Sequence, residues 1–276
     1  MATDIEIPAY SIWADLQKIR SKNPLVHNIT NSVVQDFTAN ALLALGASPI
    51  MSDCADETEE LVAVSSALNI NIGTPNSQSM DAMRTAIRAA RELGKPVALD
   101  PVAVGATKLR RTLIEQLLQT GVPTIVRGNL AEISVLAGME WGGKGVDSSV
   151  ELQDPGEIVR KAALKVGCGV VGTGKTDYAS DGERVFSIAN GHSMMTLVTG
   201  MGCVATSIVA AFLAVQPIPL MAAIHAMAFV GLAGEWAAER ARTEGAGTFR
   251  VKFLDSFERL ELGDFDSAHV RELRAG

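Results

Sequence analysis

Apolar positions along this chain switch repeatedly between two spacings. Recurrence every three or four residues, the helical period, marks 12–20, 33–45, 57–66, 77–93, 109–119, 131–136 and 156–166. Short apolar runs at 25–30, 49–52, 67–73, 96–100, 124–127 and 169–172 separate these segments and read as strands. Gly46 and Gly94 sit where helical periodicity stops, and Asn76 precedes its longest early run as a capping residue. Beyond 172 the rhythm changes. Two short strands flank an Asp181-Gly182 turn within 177–188, and long helices are predicted over 200–215, 219–242 and 249–260. Strands alternating with helices predict βαβ units, hence a mainly parallel sheet covered by helices on both faces, an α/β three-layer architecture. No repeat, linker or low-complexity segment interrupts residues 1–276, so one domain is expected.

Composition narrows the class of partner. Of 276 residues 47% are hydrophobic and 20% charged, which excludes disorder and suits a well-filled core. The net charge of −7 supplies no basic footprint for nucleic acid and no polybasic anchor, so a small molecule is the expected partner. Three cysteines, Cys54, Cys168 and Cys203, show neither a C-x-x-C pair nor metal-ligand spacing. With no basic, apolar leader at the amino end, they point to a reducing cytoplasm. The longest apolar stretch, 217–236, carries His225 and Glu235 and reads as a buried helix rather than a membrane span.

One motif match fails on context. Residues 169–176 fit G-x-x-x-x-G-K-[ST], the phosphate loop whose amides wrap phosphate at the start of a helix. Here Val170 and Val171 belong to an apolar strand, and the chain beyond Thr176 reads as a hairpin instead of a helix. The match is rejected.

The segment Thr199-Gly200-Met201-Gly202-Cys203 carries more. It is a glycine-rich turn opening a long apolar helix, whose first amides lack internal partners and bear the positive end of the dipole. An ordinary turn before a packed helix explains it equally well in isolation. Its weight comes from residues at successive strand ends, where ligands bind in open α/β sheets. Asp100 follows one strand, and Arg127 and Asn129 follow the next. Glu132 lies one turn into the next helix, on the side of Asn129. Carboxylate and amide oxygens so placed suit a hydrated Mg2+ bridging phosphates, and an arginine neutralises the transferring group. A helix cap by Asn129 with a solvated Glu132 accounts for either residue alone.

The segments His27-Asn28-Ile29-Thr30-Asn31-Ser32, Ser48-Pro49-Ile50-Met51-Ser52, Ala98-Leu99-Asp100-Pro101-Val102, Arg127-Gly128-Asn129-Leu130-Ala131-Glu132 and Gly200-Met201-Gly202-Cys203 together resemble the hydroxyethylthiazole kinases. These belong to the ribokinase-like superfamily. The order agrees over about 25–232. The Asn-x-x-Glu and glycine-turn motifs are shared across the superfamily, whereas the asparagine-rich start and the Met51 segment are specific to the thiazole enzymes. The resemblance implies a ribokinase-like fold and ATP-dependent phosphorylation of 4-methyl-5-(2-hydroxyethyl)thiazole in thiamine salvage. It implies substrate contacts at Met51, Gly200 and Asn31, nucleotide contacts at Arg127, Thr173 and Asn129, and Mg2+ served by Asp100 and Glu132 largely through water. It also implies a homotrimer, with Asn31 and Met51 meeting the nucleotide segment of another subunit.

Cys203 stands where the wider superfamily usually has Asp, and it resembles the thiazole kinases in this. It is either a proton acceptor, its thiolate favoured by the helix N-terminus, or a residue that positions the alcohol or fills space. Cys54 and Cys168 read as structural, and His225 as a satisfied core residue. His27 is either a contributor to the thiazole pocket or a hydrogen-bonded structural histidine. Rival readings are a hydroxymethylpyrimidine or pyridoxal kinase, an ATP-dependent NAD(P)H-hydrate dehydratase, and an inactive nucleotide-binding protein. Cys203 argues against the first pair, and the complete set of Asp100, Glu132, Arg127 and Cys203 against the last.

Overall fold

The computed structural model describes residues 7–140 and 154–273. A nine-stranded sheet, ordered β2-β1-β3-β4-β5-β6-β7-β8-β9, runs through them. The strands are β1 (Leu25–Ile29), β2 (Ser48–Met51), β3 (Ala67–Asn71), β4 (Val97–Asp100), β5 (Ile125–Asn129), β6 (Gly169–Thr173), β7 (Asp177–Ser180), β8 (Val185–Ile188) and β9 (Val270–Leu273). All pairings from β2 to β6 are parallel, and those joining β6 to β9 are antiparallel. Both the expected parallel body and the hairpin around Asp181-Gly182 are present. The edge strand β9 is not legible from periodicity. Its four residues, Val-Arg-Glu-Leu, hold only two apolar positions, and pairing with β8 makes it a strand.

The helices are α1 (Ala9–Lys22), α2 (Gln35–Leu45), α3 (Thr58–Val64), α4 (Ser77–Leu93), α5 (Lys108–Thr120), α6 (Leu130–Ala137), α7 (Pro155–Val166), α8 (Met201–Leu213), α9 (Pro219–Arg240) and α10 (Ala246–Arg259). Their ends obey local chemistry. Asn76 accepts from the Ser79 amide at the start of α4, and Gly46 ends α2 at φ +99°, a conformation that side chains with a Cβ rarely adopt.

Each strand divides its residues between two cores. Leu68, Leu99, Val126 and Val170 pack with α4, α5, α6 and α7 on one face. Val26, Ala67, Ala98, Ile125 and Val171 pack with α1, α2, α8, α9 and α10 on the other. Helix α9 is long and apolar enough to cross a membrane, yet 83% of its most apolar window is buried inside the protein. It is the core helix that the polar interruptions at His225 and Glu235 predict.

Candidate active site

On the α8 face, the parallel strands change character along their length. Val26 gives way to Asn28, Ala67 to Asn69 and Asn71, Ala98 to Asp100, Ile125 to Arg127, and Val171 to Thr173. Period-two alternation puts all of these on one face. Parallel register then aligns them, with Asn28 opposite Asn69, Asn71 opposite Asp100, and Asn129 opposite Thr173. The result is a polar band at the carboxyl edge of an otherwise apolar layer, beside the point where β1 leads outward to β2 and β3 returns on its other side. The first turns of α8 answer it. Ser207 donates to Asn28 Oδ1 at 2.7 Å, and Thr206 to Asp100 Oδ2 at 2.9 Å.

Asp100 is 2% exposed. Its Oδ2 also accepts from Asn71 Nδ2 at 2.8 Å. Asn71 Oδ1 in turn accepts from Asn31 Nδ2 at 2.9 Å, and the same Asn31 nitrogen lies 3.3 Å from Cys203 Sγ. A continuous relay therefore joins Cys203, Asn31, Asn71, Asp100 and Thr206. Burial pushes the Asp100 carboxyl up to about 7. The Arg127 guanidinium opposes this and the Glu132 carboxylate adds to it. Burial, with Asp100 close by, likewise pushes the Cys203 thiol up to about 11.

Arg127 donates through Nη2 to Thr173 Oγ1 at 2.9 Å, while its Nε is buried without a partner. Asn129 caps α6 by accepting from the Glu132 amide at 2.9 Å. Glu132 Oε2 accepts from the Asn129 amide at 2.8 Å, and its Oε1 from the Ala103 amide at 2.8 Å. The expected cap is present, but Glu132 is buried rather than solvated. Each of its oxygens can still take a water, but direct metal coordination would compete with the amide each one holds.

Glycines open the floor of this band. Gly200 begins α8 at φ +91° with no side-chain cap, and a Cβ there would fall 2.5 Å from Val34 Cγ1. At Gly202 a Cβ would fall 2.7 Å from Arg127 Nη1, so only glycine lets the guanidinium lie over the helix start. Together the uncapped α8 amides, the Arg127 guanidinium and the unpartnered Nε form an anion cradle.

The structure thus gathers Asn31, Asp100, Arg127, Thr173, Asn129, Glu132, Gly200 and Cys203 along one edge. Met51 ends β2 opposite Asn28, half-buried, one strand outside the relay. His27 is separated from the band. It points to the α3 and α4 face, where Nε2 lies 3.1 Å from the Ser52 carbonyl oxygen and Nδ1 is buried without a partner. Asn71 and Thr206 join the site without a motif to announce them. Their signals are faint: two asparagines at alternate positions of an apolar strand, and a threonine three residues after Cys203. The phosphate-loop match fails as expected, since Gly174, Lys175 and Thr176 form a bend between β6 and the antiparallel β7. A cavity of about 600 Å³ lies at the opposite edge of the sheet, against Thr124, Leu164, Cys168, Arg184 and Ile218, and shares none of these residues.

The model of the hydroxyethylthiazole kinase family matches residues 16–262. The chain belongs to the hydroxyethylthiazole kinase family. A hydroxyethylthiazole kinase of Granulibacter bethesdensis is 51% identical over 93% of this chain and 91% of its own length. One from Leptothrix cholodnii is 41% identical, with 96% of each chain covered. Among solved structures, the hydroxyethylthiazole kinase protein of Pyrococcus horikoshii OT3 superposes with a TM-score of 0.88 at 40% identity, covering 96% of this chain and all of that one. A pyridoxal kinase of Staphylococcus aureus, at 16% identity and a TM-score of 0.58 over 77% of this chain and 88% of its own, shares the fold alone. The fold is accordingly ribokinase-like α/β, and the chain is a kinase of this family.

Proposed function

We propose that this site transfers the γ-phosphoryl group of ATP to the hydroxyl of 4-methyl-5-(2-hydroxyethyl)thiazole, in the cytoplasm, as a step of thiamine salvage. The observation that carries the reading is the convergence of Asp100, Arg127 and the uncapped start of α8 on one edge of a chain of this family. Arg127, Thr173 and Asn129 hold the nucleotide at the ends of β5 and β6. The amides of α8 and the Arg127 guanidinium balance the charge on the phosphoryl group as it moves.

The residues fit a hydrated magnesium ion. Among the described residues no three metal-type side chains cluster, but Mg2+ commonly needs only one or two carboxylates besides phosphates and water. Asp100, buried and short of compensating charge, would hold it, with Glu132 reaching it only through water. When bound, the ion neutralises the phosphates and fixes their geometry.

On the acceptor side, Asn31, Gly200 and Met51 bound the alcohol. Burial and the nearby Asp100 carboxylate push the Cys203 thiol up to about 11, which supports a role in positioning the hydroxyl over one in taking its proton. A loose transition state asks for little base assistance. Membership of this family is the ground for proposing a homotrimer.

An ADP-release assay on hydroxyethylthiazole, hydroxymethylpyrimidine and pyridoxal tests the reading. Turnover of the thiazole at least about 100-fold above the others, expected from pocket discrimination of this order, supports it. Equal or greater turnover of either rival contradicts it.

A further inference from the structure

The turn spanning 101–106 leads from β4 into α5, directly after Asp100, and contains an unusual backbone. Ala103 has φ +53°, and the only other non-glycine residue with positive φ among the described residues is Asn23, which ends α1. Alanine has no polar side chain to ease a left-handed conformation, which costs roughly 1 kcal/mol or more. Something must hold it there.

Two side chains do. Glu132 Oε1 accepts from the Ala103 amide at 2.8 Å and Oε2 from the Asn129 amide at 2.8 Å, so one carboxylate ties the exit of β4 to the exit of β5. From the other side Arg110 forks. Its Nη1 donates to the carbonyls of Val102 at 2.8 Å and Ile72 at 2.6 Å, and its Nη2 to that of Gly73 at 2.6 Å, tying the exit of β4 to that of β3. Val102 and Ala103 are adjacent, so the turn is gripped on both faces of one peptide. Arg111 Nη2 adds a bond to the Gly105 carbonyl at 2.7 Å.

We infer that Arg110 and Glu132 are positioning residues that clamp the turn after Asp100 between β3 and β5, with Ala103 as the strained peg the clamp holds. The clamp fixes the spacing of Asn71, Asp100 and Asn129, which end the three strands it joins. Its effect on turnover rests on the proposed phosphoryl transfer, whereas the clamp itself does not.

The test measures amide hydrogen exchange at Ala103 and Asn129 together with steady-state kinetics, in the parent, Glu132→Gln and Glu132→Gln/Ala103→Gly. Gln keeps the shape but sets an NH2 against one of the two amides. Loss of that bond should speed exchange at one or both amides about tenfold and lower kcat about 10- to 100-fold, leaving KM for the thiazole within about threefold. Gly at 103 removes the cost of the left-handed turn, so the double variant should regain at least about threefold in kcat. Unchanged exchange at both amides in Glu132→Gln overturns the inference, and a double variant whose kcat at saturating Mg2+ is no better than that of the single one overturns the clamp's effect on turnover. Should Glu132→Gln not fold, Arg110→Lys reads the clamp from its other side, because the single nitrogen of a shorter side chain cannot take the places of both Nη1 and Nη2. Faster exchange over 102–106 is then expected, and unchanged exchange contradicts the clamp. If the parent itself turns over no thiazole, the functional reading fails while the exchange result still decides the clamp.

Discussion

Asp15 and Asp100 are both aspartates sealed in the protein, 1% and 2% exposed, yet their carboxyls move in opposite directions. Burial pushes Asp15 up, but hydrogen bonds from His225, Lys18 and Gln216 outweigh it and hold the group at about 2. Those partners sit 2.6 to 2.7 Å away and staple α1 to α9 and the turn before it. Asp100 has two neutral partners, Asn71 and Thr206, a single guanidinium in opposition and a second carboxylate nearby, so burial wins. One site is complete within the chain. The other is short of positive charge at a strand end, where a cation and phosphates would supply and use it.

The contrast breaks most sharply at Asp100→Asn. Turnover should fall on the order of 10³-fold, the scale of losing a main electrostatic contact in a phosphoryl site. The melting temperature below pH 7 should not fall, because burial favours the neutral form there. The converse holds for Asp15→Ala, which strands His225, Lys18 and Gln216 without their acceptor. Chemical unfolding should show a loss of about 3 kcal/mol, while kcat per folded molecule stays within about twofold.

Cys203→Ser sharpens the comparison further. If the thiol only positions the alcohol, kcat should fall no more than about tenfold, since neither side chain ionises at neutral pH. A larger loss at constant KM would restore Cys203 as proton acceptor. The smallest effect is expected at Lys175→Ala. This exposed residue lies in the bend of the false phosphate loop, and turnover should stay within about twofold, the scale of an ordinary surface change.

Much of this was legible from sequence, for definite physical reasons. Gly46, Asn76 and Gly94 are local devices, and they bound α2 and α4 where the chain predicts. Asp100, Arg127 and Asn129 could be placed because strands alternating with helices fix which strand ends point to a common edge. The relay could not be read this way. Asn71 sits opposite Asp100 only through the register of β3 on β4, and Asn31 approaches Cys203 across 172 positions of sequence. The two oxygens of Glu132 are another such case. The Asn-x-x-Glu spacing announces the cap, but the bond to Ala103 depends on a turn 29 residues earlier.

Asp100 is uncompensated where Asp15 is compensated, and a pH titration of the aspartate carboxyl carbons by NMR tests this directly. For Asp15, ordinarily near 3.8, the folded value of about 2 means its stabilisation is full above the ordinary value and lost as pH falls through 2. For Asp100 the sign reverses. Its folded value of about 7 lies above the ordinary 3.8, so its contribution is full at low pH and lost as pH rises through 7. The Asp100 midpoint should lie near 7 in the free protein and move down when Mg2+ and nucleotide are added, with Asp15 ionised until about pH 2. Two midpoints together near the ordinary 3.8, unmoved by Mg2+ and nucleotide, would contradict this.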